Sequence, residues 1–216
     1  METLSRKERE RQIRENEIIQ AAENIFYSKG YTDASMDEIA KKAQFTKRTL
    51  YQYFENKEDL YFAVVLKGYQ LLFKYLKSGF EKGDTGFMKI YYSCMEYYKF
   101  YIDFPDTLRL RNYVGYIKNK SEDVSEKRDE FKKFDDFIFK EVATVIEAGK
   151  QDGSIKADLD SSMTAYSLVY MITGFFSQLS VTGQTFTENF KLDFEKFVPD
   201  SLNLLLNSIN NSKGAK

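Results

Sequence analysis

A chain of 216 residues, 43% of them hydrophobic, is long enough for one large or two small domains with a buried core. Its formal net charge of −1 excludes a wholly basic surface, so any contact with nucleic acid must rest on a local basic face. Histidine is absent and there is one cysteine, which excludes any Ser–His or Cys–His nucleophile pair, the commonest transition-metal ligand and any intrachain disulfide.

The chain begins with a charged stretch, in which Arg6, Lys7, Arg9, Arg11 and Arg14 mix with Glu2, Glu8 and Glu10. Two readings stay open: a solvated helical extension, or an arm that touches phosphates or the minor groove. Met1 to Gln12 is too charged for a signal peptide, and no apolar run approaches a membrane span. With lone Cys94 read as a core residue, the chain is expected in a reducing cytoplasm without a membrane contact. A first helix follows with Ile18, Ala22, Ile25 and Phe26 on one face, and it stops at Gly30.

Ser35 to Phe54, SMDEIAKKAQFTKRTLYQYF, predicts two short helices joined by a tight turn. Met36, Ile39, Ala40 and Ala43 form one apolar stripe, and Ser35 with Glu38 makes a capping box. Thr46 caps the second helix, Phe45 staples onto Leu50, and Leu50, Tyr53 and Phe54 face inward. Lys47, Arg48, Thr49, Tyr51 and Gln52 are left pointing outward. Such a face suits a DNA groove: Arg can fork onto guanine, Gln onto adenine, and Thr can touch a thymine methyl. No Asp or Glu occurs from Ile39 through Phe54, so phosphates meet no repulsion within that run. Asn56 caps the next helix with Asp59 at its third position, and Lys57 at its start is placed for a phosphate.

Residues Gly30 to Leu60 resemble the DNA-binding region of the TetR family of bacterial regulators, through ASMDEIAKKA, then TKRTLYQYF, then NKEDL. Many relatives carry Gly where Gln44 and Arg48 stand, and Arg48 adds a base-reading side chain. The resemblance implies DNA contacts from Ser35, Thr46, Lys47, Arg48, Thr49, Tyr51, Gln52, Tyr53 and Lys57.

Beyond Lys57 one long helix runs through Leu60, Val64, Leu71 and Leu76 towards Gly79, and Gly83 to Gly86 breaks the chain. A helix then carries Phe87, Tyr91, Met95, Tyr98 and Ile102, and Phe104-Pro105 ends it. Pro105 opens another through Leu108, Val114 and Ile117, and Lys118 to Ser125 reads as a loop. The following helix places Phe131, Phe134, Ile138, Val142, Val145 and Ile146 inward and stops between Gly149 and Gly153. After a cap at Ser161 or Asp160, the stretch from Met163 to Leu179 is apolar almost all round, with Gly174 at its middle as a place of close approach. A last helical region runs from Thr187 to Ile209, kinked or divided at Pro199, and Asn210 to Lys216 forms a frayed tail.

The expected fold is all-α: a helix-turn-helix DNA-binding domain over 1–55 and a larger helical effector-binding and dimerisation domain over 56–216. The resemblance implies a homodimer formed through 161–209 and a small-molecule pocket. Tyr91, Met95 and Tyr98, with Tyr113, Phe137 and Tyr170 from three other helices, are its candidate lining, which suits a lipophilic or aromatic effector. The expected function is a repressor released from a palindromic DNA operator by that effector. An activator, or a DNA-bound protein-interaction factor of the same fold, is the alternative. Neither an enzymatic activity nor a cofactor is expected.

Overall fold

The computed structural model describes residues 5–118 and 126–211. Among these the secondary structure is helical, apart from one isolated bridge between Ile155 and Asn210. In chain order the helices are α1 (Arg6–Asp33), α2 (Met36–Lys42), α3 (Lys47–Leu50), α4 (Lys57–Lys82), α5 (Gly86–Asp103), α6 (Pro105–Lys118), α7 (Glu126–Gln151), α8 (Ser161–Phe190) and α9 (Phe194–Leu206). The fold class is all-α, as the sequence predicts. Of the loop expected at 118–125, Lys118 belongs to α6. Asn210 and Asn211 of the expected frayed tail are tied down, by the bridge to Ile155 and by the Asn211 N–H on the Ser154 carbonyl at 3.0 Å. The rest of that loop and tail, with the inward placing of Ile117, lies outside what is described.

The chain packs as two compact units, described here in their described parts. One comprises Met1–Gly68 with Leu110–Lys132, the other Tyr69–Arg109 with Lys133–Lys216. In the first unit, Ile18, Ala22 and Phe26 of α1 are buried with Ile39, Leu50 and Phe54, which is the inward stripe that helical spacing predicts. The start of α4 is buried on every side, from Asp59 through Leu66. A helix apolar all round must be covered on several faces. The end of α6 and the start of α7 supply part of that cover. Tyr61 donates its hydroxyl to the Leu110 carbonyl, Phe62 meets Phe131 at 5.8 Å between ring centres, and the Asp59 carboxylate accepts the Lys127 N–H at 3.3 Å.

In the second unit, α5 packs against α8 and α9 through aromatic rings. Tyr97 lies flat on Phe176, with centres 4.5 Å apart and an interplanar angle of 7°, and Tyr101 reaches Phe176 at 5.8 Å and Phe194 at 6.0 Å. Cys94 is buried in this core, which pushes its thiol up to about 12, so it stays protonated and inert at neutral pH. The start of α5 is fixed by the turn after α7: the Gly86 N–H donates to Asp152 at 2.7 Å and the Phe87 N–H to the Ser154 hydroxyl at 3.0 Å.

Two expectations need correction. The break before the last helix falls at Lys191, which adopts a left-handed conformation (φ 52°), and not at Thr187. Leu192 donates back to the Thr187 carbonyl at 2.9 Å, and Asp193 caps the new helix. Pro199 then sits inside α9 without dividing it. Within the chain the close approaches belong to Gly79, Gly83 and Gly86; Gly174 meets nothing within 4 Å, so a close approach there would be to a helix of another chain.

Gly79 gives a direct test. A Cβ there would stand 2.5 Å from the backbone N and Cα of Ser93. Neither helix can yield cheaply, so Gly79→Ala is expected to lower stability by about 2 kcal/mol or more, measured as a fall in the urea midpoint. An unchanged midpoint would show that α4 and α5 do not cross there.

Candidate nucleic-acid interface

The two short helices are built by their caps. Ser35 accepts the Glu38 N–H at 3.3 Å, and the Glu38 carboxylate returns to the Ser35 N–H, so the predicted capping box is present. At the other end of α2, Gln44 takes the left-handed conformation (φ 59°). Its N–H reaches the Lys41 carbonyl at 3.2 Å and the Phe45 N–H reaches Ala40 at 3.0 Å, the paired bonds of a Schellman closure. A side chain in that conformation costs about 1–2 kcal/mol against glycine. Thr46 then caps α3, accepting the Thr49 N–H at 3.1 Å. Helical hydrogen bonding extends past α3 as a turn, with the Phe54 N–H on the Leu50 carbonyl at 3.0 Å.

This geometry delivers Lys47, Arg48, Tyr51 and Gln52 to solvent, with Tyr51 at 47% exposure. They recur at i, i+1, i+4 and i+5, one face of a helical turn. Thr49 and Tyr53 are half-buried beside them. The hydroxyls of Ser35, Thr46 and Thr49 are already engaged: Ser35 with Glu38, and Thr46 with Thr49 at 2.8 Å. One acid also returns to this face in the fold. Asp37 holds the Lys47 ammonium at 2.8 Å, and that hydrogen bond raises the lysine pKa. The acid-free run from Ile39 to Phe54 does not show this, since the carboxylate comes from the first turn of the preceding helix. Arg48 is exposed, and no hydrogen bond or ion pair holds it among the described residues.

Lys57 sits differently from its expected phosphate position. Its ammonium donates to the backbone carbonyls of Tyr31, Thr32 and Ala34 at 2.8, 3.2 and 2.9 Å and lies 4.5 Å from the centre of the Tyr31 ring. Its three N–H donors are therefore used within the chain. Burial lowers its pKa below the usual lysine value. In this structure the side chain ties the corner between α1 and α2 to α4. Nothing in the local sequence announces this, because the partners are backbone oxygens more than twenty residues upstream. A second unannounced contact places the Arg11 guanidinium 5.9 Å from the centre of the Tyr53 ring.

The effector candidates are scattered by the fold. Tyr91, Met95 and Tyr98 pack half-buried against the core of the second unit, with Tyr98 6.4 Å from Phe176 and 6.3 Å from Phe194. Burial, then the charge of Glu195, raises the Tyr98 pKa. Phe137, 41% exposed, lies with Phe73 at 5.2 Å. Tyr170 is 80% exposed. Tyr113 belongs to the first unit, where it meets Thr32 by a hydroxyl–hydroxyl hydrogen bond and Tyr31 at 5.0 Å.

A capped helix, a left-handed turn and a second capped helix with an outward Arg, Lys, Gln and Tyr define a DNA-binding helix-turn-helix. Residues 18–64 match the model of bacterial regulatory proteins of the tetR family. Over those residues the chain is similar to the DNA-binding domain of that family. The DNA-binding region is 44% identical over 55 residues to the HTH-type transcriptional activator FasR of Mycolicibacterium smegmatis. That match covers 26% of this chain and 25% of the relative. Two solved structures share the fold along the chain. A tetR-family regulatory protein from Rhodococcus RHA1 has a TM-score of 0.69 at 19% identity, covering 91% of this chain and 97% of that one. FadR from Bacillus subtilis, in complex with stearoyl-CoA, has a TM-score of 0.68 at 20% identity, covering 88% and 97%.

Replacing Lys57 separates its two roles. Lys57→Met keeps the stem and leaves three carbonyls without their donor, so stability should fall by about 1–3 kcal/mol in urea unfolding. A variant of unchanged stability that bound every duplex more weakly would make Lys57 a phosphate contact instead.

Proposed function

We propose that this chain is a homodimeric transcription regulator, foremost a repressor, released from a near-palindromic DNA operator by a lipophilic small molecule. The observation that carries the reading is the exposed face of Lys47, Arg48, Tyr51 and Gln52 on a capped helix-turn-helix of the tetR family. Arg48 and Gln52 bear the groups suited to base edges. Residues 1–55 serve DNA binding in this reading, and 56–216 serve effector binding and dimerisation. An activator is the second reading, favoured by the similarity of the DNA-binding region to the activator FasR. A reporter gene behind the selected site, with and without the regulator, decides the sign.

The dimer proposal is supported by one stripe of α8. Met163, Ser167, Tyr170, Gly174, Ser177 and Val181 alternate spacings of four and three, the pattern of a helix that packs against another helix. Met163, Tyr170 and Val181 are 64%, 80% and 59% exposed in the single chain. Gly174 has open space around it, which leaves room for a second helix. A two-fold contact of this kind would present two copies of α3 to two half-sites.

The effector proposal rests on Tyr91, Met95 and Tyr98 against the aromatic core of the second unit. Tyr170 lies on the open stripe and Tyr113 is engaged in the first unit, so neither adds support. A long apolar ligand suits that lining, and the FadR fold relative was solved with stearoyl-CoA.

Selection from random duplexes tests the DNA reading. The chain should recover a near-palindromic site bound by two chains, and Arg48→Ala should relax one or two base positions per half-site at a cost of about 1–3 kcal/mol. Recovery of no preferred duplex would refute it. For the effector, stearoyl-CoA should raise the melting temperature and weaken DNA binding, while coenzyme A alone should do neither. Saturating ligand at ~100 times its Kd stabilises by about 2.7 kcal/mol, and Tyr98→Ala should remove most of the shift. An equal shift with coenzyme A alone would mean that the acyl chain is not what is bound.

A further inference from the structure

The opening turns of α1 have no core behind them. The helix starts at Arg6 under a complete capping box from Ser5 and Glu8, yet Ile18 is its first buried residue. A surface helix holds its shape chiefly through an amphipathic face, and this stretch has none to bury. What it has is a basic stripe. Lys7, Arg11 and Arg14 follow the 3.6-residue period into Ile18 and Ala22, the side of α1 that faces the domain. All three are exposed.

The stripe runs beside the DNA-reading element. Arg11 lies 5.9 Å from the centre of the Tyr53 ring, in the turn that continues α3. The acids of the same stretch are occupied within the chain. Glu8 closes the capping box, Glu10 holds Arg6 at 2.9 Å, and Glu15 faces Lys127 at 3.4 Å. Lys7 and Arg14 have no ion pair among the described residues.

We propose that Lys7, Arg11 and Arg14 form a second DNA contact, in which the overhanging turns of α1 neutralise backbone phosphates beside the segment read by α3. Tyr53 positions Arg11 by its ring face, leaving the guanidinium edge for a phosphate. This rests on the reading of the chain as DNA-binding. The contact carries no base information, because phosphates are the same in every sequence.

The test uses the full chain and a short duplex of random sequence, so it does not depend on a selected site. The triple variant Lys7→Ala, Arg11→Ala, Arg14→Ala should weaken binding and flatten the dependence of log affinity on log salt by ~0.9 for each phosphate given up, up to ~2.7 per chain. Base preference in the random-duplex selection should not change. Arg6→Ala with Arg9→Ala removes charge from the same turns on faces turned away from the stripe, and its slope should stay near that of the wild type. Circular dichroism should show both variants folded, since every side chain changed is exposed. An unchanged slope in the triple variant, or an equal flattening in the Arg6 and Arg9 control, overturns the proposal. Loss of base preference in the wild type alone would sink the operator reading and leave this one standing.

Discussion

A single half-buried cation ties the corner before the DNA-reading element to the rest of its unit. Lys57 stands at the first position of α4, where the free N–H groups and the helix dipole oppose a positive charge. It is held there because the corner between α1 and α2 turns three backbone carbonyls toward it and Tyr31 presents a ring face. Those carbonyls have the mirror problem. They lie at and just past a helix end, where no intrahelical N–H reaches them. One ammonium answers both needs, and it does so across the junction that sets where α2 and α3 lie. Gly30 makes the corner possible by taking a positive φ of 74°, which swings the chain so that its oxygens converge.

The same logic of shared partners enlarges the unit beyond its first helices. Buried Asp59 accepts the Glu55 N–H at one oxygen and the Lys127 N–H at the other, so one carboxylate serves the starts of α4 and α7 together. Arg128 stands 3.7 Å from Glu58, and Lys127 lies near Glu15 of α1. Around Tyr61 the rings of Phe26 and Tyr31 stand edge-on at 5.0 Å, and Tyr113 of α6 closes the cluster at 6.4 Å. Burial of the Tyr61 phenol raises its pKa, and its proton goes to the Leu110 carbonyl. A helix-turn-helix has little core of its own. Here the missing surface is supplied by segments from much later in the chain, so the family match at 18–64 marks the domain's start without enclosing its packing.

How much of this could be read in the sequence follows from the range of each interaction. Caps are local: Ser35, Thr46, Asn56 and Asp160 each accept an N–H three residues on, and each was visible as a residue type at a spacing. Apolar stripes are local too, and Ile39, Leu50, Phe26 and Ile146 are buried where helical periodicity places them. Contacts between distant segments left no such mark. The Lys57 carbonyls, the Asp37–Lys47 pair and the Arg11–Tyr53 contact depend on how helices cross. Breaks are legible where glycine or proline makes them, as at Gly83–Gly86 and at Phe104-Pro105. Lys191 carries a left-handed break with no compositional signal, so spacing alone places the start of the last helix too early. Glycine was ambiguous in the other direction as well. Gly79 and Gly174 both lie within helices, but only the first has another backbone against it.

The near-zero net charge is reconciled with a polyanionic partner by where the acids are held. Asp37 takes up much of the charge of Lys47, so the outward face of α3 is less basic than its sequence suggests. That leaves Arg48 as its unpaired cation among the described residues, with Gln52 and Tyr51 beside it. In the proposed reading such a face would attract a duplex weakly and discriminate through forked hydrogen bonds of Arg48 and Gln52 to base edges. Affinity and specificity would then be separable in this molecule. Base recognition would fall to α3 and the turn after it, and bulk attraction to basic groups elsewhere in the same unit. Such a division lets a regulator keep a selective contact that is not swamped by its non-specific one, since the specificity ratio governs occupancy of a single site among many.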